Sequence, residues 1–277
     1  MTPLKAFLEI MRPMNCLMAS IAALIGLLVA GQGLSGRASD LTFAIAFLVV
    51  FLVTGAGNAV NDYFDKEIDA VNRPGRPIPR GAISPRAALI FSLALFAAGC
   101  ALAWFLGIIC FCLAILNSIL LYFYARNLKA TPLAGNICVA YLTGSSFLFG
   151  GAAFGPAGLA STTGMFLLAA LATMSREIAK DIEDIEGDRK GGARTLPIIV
   201  GERRSSLLAA VFGFAAVVLS YSMQLGLAYL ALVTLADIFF LLSAKKVMEG
   251  DAAKAQHDLK LGMAVALAAF LAGALYR

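Results

Sequence analysis

LTFAIAFLVVFLVTGAGNAVNDYFDKEID, residues Leu41 to Asp69, runs an apolar segment of membrane-spanning length directly into three aspartates. A bilayer core is crossed by about 20 apolar residues in helical form. The aspartates Asp62, Asp65 and Asp69 read D-x-x-D-x-x-x-D, and the same spacing returns at Asp181, Asp184 and Asp188, offset by 119 positions (181 − 62). The offset extends upstream, where Leu52 and Thr54 recur as Leu171 and Thr173. Spacing i, i+3, i+7 predicts that the three carboxylates of a cluster share one helix face. Asn58 and Glu177, also related by the offset, lie one turn upstream of their clusters. Like charges one turn apart repel, and a bound divalent cation removes that penalty. Oxygen-only ligands suit Mg²⁺, Mn²⁺ or Ca²⁺, and a site shared with phosphate oxygens suits Mg²⁺ most.

The surrounding chain sets the class. Of 277 residues, 60% are hydrophobic and 14% charged, the composition of a polytopic membrane protein. Nine apolar segments are expected, roughly at 14–31, 41–61, 85–106, 108–124, 133–154, 161–179, 205–221, 226–243 and 259–276. The third and fourth almost touch, which predicts a tight turn. The fold expected is all-α, with nine transmembrane helices. Two four-helix parallel repeats, about 1–124 and 125–243, and one extra helix make a single domain over 1–277. The two acidic stripes are then expected face to face over a central cavity. The run after Lys5 and Arg12 leads into no convincing signal-peptide cleavage site.

Loops numbered alternately from the N-terminus place all but Arg37 and Arg277 of the 22 Lys and Arg residues on one side. The positive-inside rule makes that side cytoplasmic, with the N-terminus inside. Both clusters fall there, at the inner ends of the second and sixth helices. Cys16, Cys100, Cys110, Cys112 and Cys138 all lie in apolar segments without a C-x-x-C, and read as inert buried thiols. His257 is the only histidine, which argues against a His-based triad or zinc site. Asp237, inside the eighth helix, either lines the site or pairs with a neighbouring helix.

Each cluster is followed by a cationic loop broken by Gly and Pro: Asn72 to Gly81, with Arg73 and Arg76, and Arg189 to Pro197, with Arg194. A third basic element, Tyr122 to Lys129, ends the fourth helix. Carboxylates beside Arg and Lys can neutralise one another as a salt-bridge network. Two copies in register fit a lipid diphosphate better: carboxylates hold Mg²⁺, and Arg and Lys take the remaining phosphate oxygens. If the tail is a prenyl chain, its allylic C–O bond can ionise against a stabilised diphosphate. Water must be kept from the cation, which makes 66–84 a candidate lid.

Asn61-Asp62-x-x-Asp65-x-x-x-Asp69 with Asp181-x-x-Asp184-x-x-x-Asp188 resembles the paired signatures of the UbiA superfamily of intramembrane prenyltransferases. Arg12 to Leu17, Gly57 to Gly81, Tyr141 to Ser145 and Arg176 to Asp184 are similar to its archaeal geranylgeranylglyceryl-phosphate geranylgeranyltransferases. That resemblance implies Mg²⁺-dependent transfer of a geranylgeranyl group from geranylgeranyl diphosphate to the free hydroxyl of geranylgeranylglyceryl phosphate, in archaeal ether-lipid synthesis. It implies that Asn61, Asp62, Asp65 and Asp69 hold one Mg²⁺ and Asp181, Asp184 and Asp188 a second. Asp65, Asp69, Asp181, Asp184 and Asp188 are the expected catalytic carboxylates. Lys129 with Tyr124 or Tyr122, Arg73 or Arg76, and Arg189 or Arg194 are implied to bind the diphosphate. Arg12 and Asn15 are implied to face the lipid-phosphate acceptor, Arg12 pairing with its phosphate, and Asn58 is counted with the substrate-binding residues. The expected partners are a prenyl diphosphate donor, a lipid-phosphate acceptor and membrane lipids, with no nucleic acid.

Rival readings are prenylation of an aromatic acceptor, as in quinone biosynthesis, a CDP-alcohol phosphotransferase, whose D-G-x-x-A-R signature is absent, and a secondary transporter. Transporters place their sites near the midplane on broken helices, whereas these acids lie at helix ends beside cationic loops.

Overall fold

Helix follows helix from Pro3 to Leu275 in the computed structural model, which describes residues 3–33 and 38–276, so that Arg37 and Arg277 lie outside the described residues. In order, the helices are α1 (Pro3–Ile10), α2 (Pro13–Gly33), α3 (Asp40–Phe64), α4 (Lys66–Asn72), α5 (Pro85–Trp104), α6 (Ile108–Arg126), α7 (Ala134–Ala152), α8 (Gly155–Glu183), α9 (Ile185–Lys190), α10 (Leu196–Val200), α11 (Glu202–Ser220), α12 (Gly226–Met248) and α13 (Ala252–Leu275). Among the described residues there is no strand.

Eight of these helices are long and apolar enough to cross a membrane: α2, α3, α5, α6, α8, α11, α12 and α13, counted among the described residues. The segment expected at 133–154 is helical as α7 but is not among the eight. Asn136, Thr143, Ser145, Ser146 and its glycines dilute its apolar character. They are also what lets it pack closely. A Cβ at Gly150 would drive into the backbone carbonyl of Ala23, and one at Gly26 into that of Phe147, so α2 and α7 meet there backbone to backbone.

Local signals set the helix ends. Ser39 caps α3 by accepting from the Thr42 N–H at 3.2 Å. Ser84 caps α5 in the same way, ahead of Pro85 in its first turn. The expected tight turn lies between α5 and α6 and closes at Gly107, whose φ of 111° suits glycine. Several helices outrun the apolar segments read from sequence. α8 continues through Arg176 to Glu183, where Ile178, Ala179 and Ile182 are buried and hold this last stretch in packing.

The chain divides into two compact units, 1–127 with 146–161, and 128–145 with 162–277. In the first, α3 packs on α2, α5 and α6, and its core includes Val49, Val53, Phe96 and Phe149. In the second, α12 lies along α13 and α11, around Ile178, Phe240 and Leu259. Large apolar side chains such as Ile90, Leu93, Ile115 and Ile119 stand exposed along α5 and α6, as lipid-facing residues do.

Asp237 sits within α12, 5% exposed, and accepts a hydrogen bond from Ser220 Oγ of α11 at 2.9 Å. The Tyr229 hydroxyl donates to the Ser220 carbonyl at 2.9 Å. The acid therefore pairs across the α11–α12 hairpin.

Candidate functional site

Each acidic cluster spans two helices, not one. α3 ends at Phe64, Asp65 stands at φ −86°, ψ 3°, and α4 restarts at Lys66. α8 ends at Glu183, Asp184 stands at φ −90°, ψ 4°, and α9 restarts at Ile185. The middle aspartate of both clusters thus adopts the same bridge-region backbone, which is sparsely populated elsewhere. The one-turn spacing survives the break: Asp69 N donates to Asp65 O at 2.8 Å, and Asp188 N to Asp184 O at 2.9 Å. The expected continuous helix is interrupted at the middle aspartate, yet in the first cluster Asp62 and Asp69 still share a face, since one guanidinium nitrogen of Arg76 bonds both.

In the first unit Asp62 and Asp69 are 3% and 5% exposed. Burying carboxylates is costly unless positive charge or hydrogen bonds compensate them. Arg12 Nη2 donates to Asp62 Oδ1 at 2.5 Å, and Arg76 Nη1 reaches the same oxygen at 3.2 Å while also bonding Asp69 Oδ2. Arg76 is delivered by the loop after α4, whose Ile78 and Ile83 pack with Ala6, Ile10, Ala59 and Ala88. Arg80 of this loop donates from Nη1 and Nη2 to both carboxylate oxygens of Glu9 in α1, at 2.9 and 2.6 Å. The Arg80 hydrogen bond holds the Glu9 carboxyl below its ordinary range. Asn61 donates to Asp65 Oδ2 at 2.8 Å, fixing that carboxylate. Tyr122 lies with its ring against Phe64 at the end of α3, with centroids 5.5 Å apart. Arg73 and Asn15 are exposed.

In the second unit Asp181 accepts from Asn136 Nδ2 of α7 at 2.9 Å. Sequence reasoning passed over Asn136. The only signal for it was a carboxamide one turn inside an apolar helix, 45 positions from its partner. Glu177 is buried and pairs with its neighbour Arg176. The loop carrying Arg194 is tied to the short turn carrying Lys129 by a hydrogen bond from Arg194 N to Ala130 O at 3.0 Å. The Arg189 and Arg194 side chains are exposed, as is Asp184. Burial pushes the Asp188 carboxyl up, and the Asp184 charge adds to that.

These residues fit a hard divalent cation. Every donor in the clusters is a carboxylate or carboxamide oxygen, and Arg76 bridging Asp62 and Asp69 shows that this pair accommodates positive charge between them. Among the described residues no three Asp, Glu, His or Cys side chains already form a cage. Mg²⁺ is commonly bound by one or two carboxylates plus substrate phosphates, not by an all-protein cage.

Two membrane-length helices end in matched aspartate motifs, and the chain belongs to the UbiA prenyltransferase family, whose model matches residues 19–274. It is a multi-pass membrane protein and a prenyltransferase. It is 54% identical over 266 residues to the digeranylgeranylglyceryl phosphate synthase of Methanothrix thermoacetophila, covering 96% of this chain and 98% of that one. With the enzyme of the same name from Thermococcus kodakarensis it shares 46% over 280 residues, covering 99% of each. A solved structure of a digeranylgeranylglyceryl phosphate synthase matches with a TM-score of 0.86 and 38% identity, over the whole of both chains. A UbiA homologue from Archaeoglobus fulgidus, solved with GPP and Mg²⁺, shares the fold at a TM-score of 0.66 and 18% identity, covering 94% of this chain and 99% of that one.

Proposed function

We propose that this chain transfers a geranylgeranyl group from geranylgeranyl diphosphate to the free hydroxyl of geranylgeranylglyceryl phosphate, as the name of its full-length relatives describes. The observation that carries the reading is the pair of acidic helix ends with one shared backbone break, at Asp65 and Asp184. Supporting it is the guanidinium of Arg12, held at the first cluster where a phosphorylated acceptor needs a cation.

In this reading Asn61, Asp62, Asp65 and Asp69 hold one Mg²⁺, and Asp181, Asp184 and Asp188 a second. Bound there, Mg²⁺ neutralises diphosphate oxygens and stabilises the leaving group. Lys129, Arg76 or Arg73, and Arg189 or Arg194 take the other phosphate oxygens, and Tyr122 or Tyr124 flanks them. The allylic C–O bond breaks, diphosphate departs with the electron pair, and the acceptor hydroxyl oxygen bonds the allylic carbon. The hydroxyl proton leaves to a carboxylate or to the diphosphate. Arg12, with Asn15 nearby, orients the acceptor through its phosphate. The segment from Lys66 to Ser84, α4 with the loop after it, excludes water from the cation. The excess of Lys and Arg in the loops on one side supports a site at the cytoplasmic face, with the N-terminus inside.

The test is a substrate panel on the purified protein in lipid nanodiscs. It crosses prenyl diphosphates of several lengths with geranylgeranylglyceryl phosphate, a hydroxybenzoate and a naphthoate. Ether-lipid product only with the glyceryl phosphate supports the proposal, and product with an aromatic acceptor alone rejects it. Asp65→Ala and Asp184→Ala should each lower turnover about a hundredfold or more while the protein remains folded. Full activity in either variant rejects the two-cluster chemistry.

A further inference from the structure

Arg12 adopts φ 53°, in the left-handed region that few non-glycine residues occupy. Such a backbone persists only where its surroundings hold it. Here the Arg12 N–H donates to Glu9 O at 3.0 Å, and the Arg12 carbonyl accepts from Asn15 N at 2.9 Å. The corner between α1 and α2 is therefore a built turn with Met11 at its centre, 5% exposed.

α3 reads this corner with three residues on one face, at i, i+3 and i+7. Gly55 leaves room for the Met11 side chain, since a Cβ there would lie 2.5 Å from Met11 Cε. Asn58 Nδ2 donates to the Met11 carbonyl at 2.8 Å, and the Cys16 thiol donates to the same oxygen at 3.1 Å. Asp62 then receives Arg12 Nη2 at 2.5 Å. A guanidinium has five N–H donors, so Arg12 can serve Asp62 and a second anion together.

Asp62 has its match in Asp181, but Gly55 is matched by Met174 and Asn58 by Glu177, which pairs with Arg176. Of these three face positions only Asp62, which takes Arg12, is repeated.

We propose that Gly55 and Asn58 are positioning residues that clamp the Met11–Arg12 corner and so deliver the Arg12 guanidinium to the acceptor's phosphate. The inference rests on the reading above that Arg12 meets that phosphate.

The experiment is steady-state kinetics of the full chain in nanodiscs, varying donor and acceptor separately. Asn58→Leu should raise the acceptor KM about tenfold and leave the donor KM within about twofold, the scale of one lost hydrogen bond to a buried acceptor. Gly55→Ala, which keeps every hydrogen bond, should move the acceptor KM the same way by about threefold, and it serves if Asn58→Leu does not fold. In an Arg12→Ala background, Asn58→Leu should add less than about twofold, because residues acting through one group are not additive. Additive losses, or equal changes in both KM values, overturn the clamp. If Arg12→Ala alone leaves the acceptor KM unchanged, the acceptor role of Arg12 falls first and the clamp falls with it. If Arg12→Ala raises it and Asn58→Leu does not, only the clamp falls.

Discussion

Asp62 and Asp181 hold matched positions in sequence, yet their partners differ in kind. Asp62 meets two guanidinium groups, Arg12 and Arg76, whereas Asp181 meets the neutral carboxamide of Asn136. An aspartate's neighbours come from distant segments, 50 positions away for Arg12 and 45 for Asn136, so spacing alone does not name them. Asn136 fixes the rotamer of a carboxylate proposed to hold Mg²⁺, and partners that orient a metal ligand typically matter about 10–100-fold in metal affinity. Asn136→Leu should therefore raise the Mg²⁺ concentration for half-maximal turnover by about tenfold or more, read from a Mg²⁺ titration of product formation. An unchanged titration curve would remove Asn136 from the site.

At the level of elements, the long apolar helices were legible because about 20 apolar residues in a row admit few other structures. The short helices α1, α4, α9 and α10 were not. They are five to eight residues long, too short to be stable alone, and are held by tertiary packing. α1 rests on the loop after α4 through Ala6 and Ile10, and through the Glu9–Arg80 pair. The Arg80 hydrogen bond lowers the Glu9 pKa from its ordinary 4.5. A lowered acid contributes its stabilisation above the unfolded value and loses it as pH falls through the folded one. Acidification below that range should loosen α1 from the loop, seen as faster hydrogen exchange at Ile78 to Ile83, and Arg80→Gln should give the same loosening at neutral pH. The pair is partly exposed, so the effect should be local and shrink with added salt. Protection that is indifferent to both changes would mean that Ile78 and Ile83 hold the loop unaided.

For the whole molecule, charge placement predicts which side each loop faces. Arg203, in the first turn of α11, and Ser222, just past its end, are both exposed. Cys112 is exposed, not buried as expected from sequence; with it replaced by Ser, Arg203→Cys should react with a membrane-impermeant thiol reagent only from the cytoplasmic side and Ser222→Cys only from the outside. The reverse pattern would invert the orientation. By itself the chain determined its solvent, its helical class and the two aspartate triplets, because each follows from local composition or from spacing along one helix. Tertiary structure alone decided which side chains meet the aspartates. It also decided that each triplet breaks at its middle member, and that Gly55 and Asn58 meet Met11 beside the left-handed Arg12. Compensating a buried charge and straining a backbone both depend on atoms that folding brings from elsewhere, and no local pattern records them.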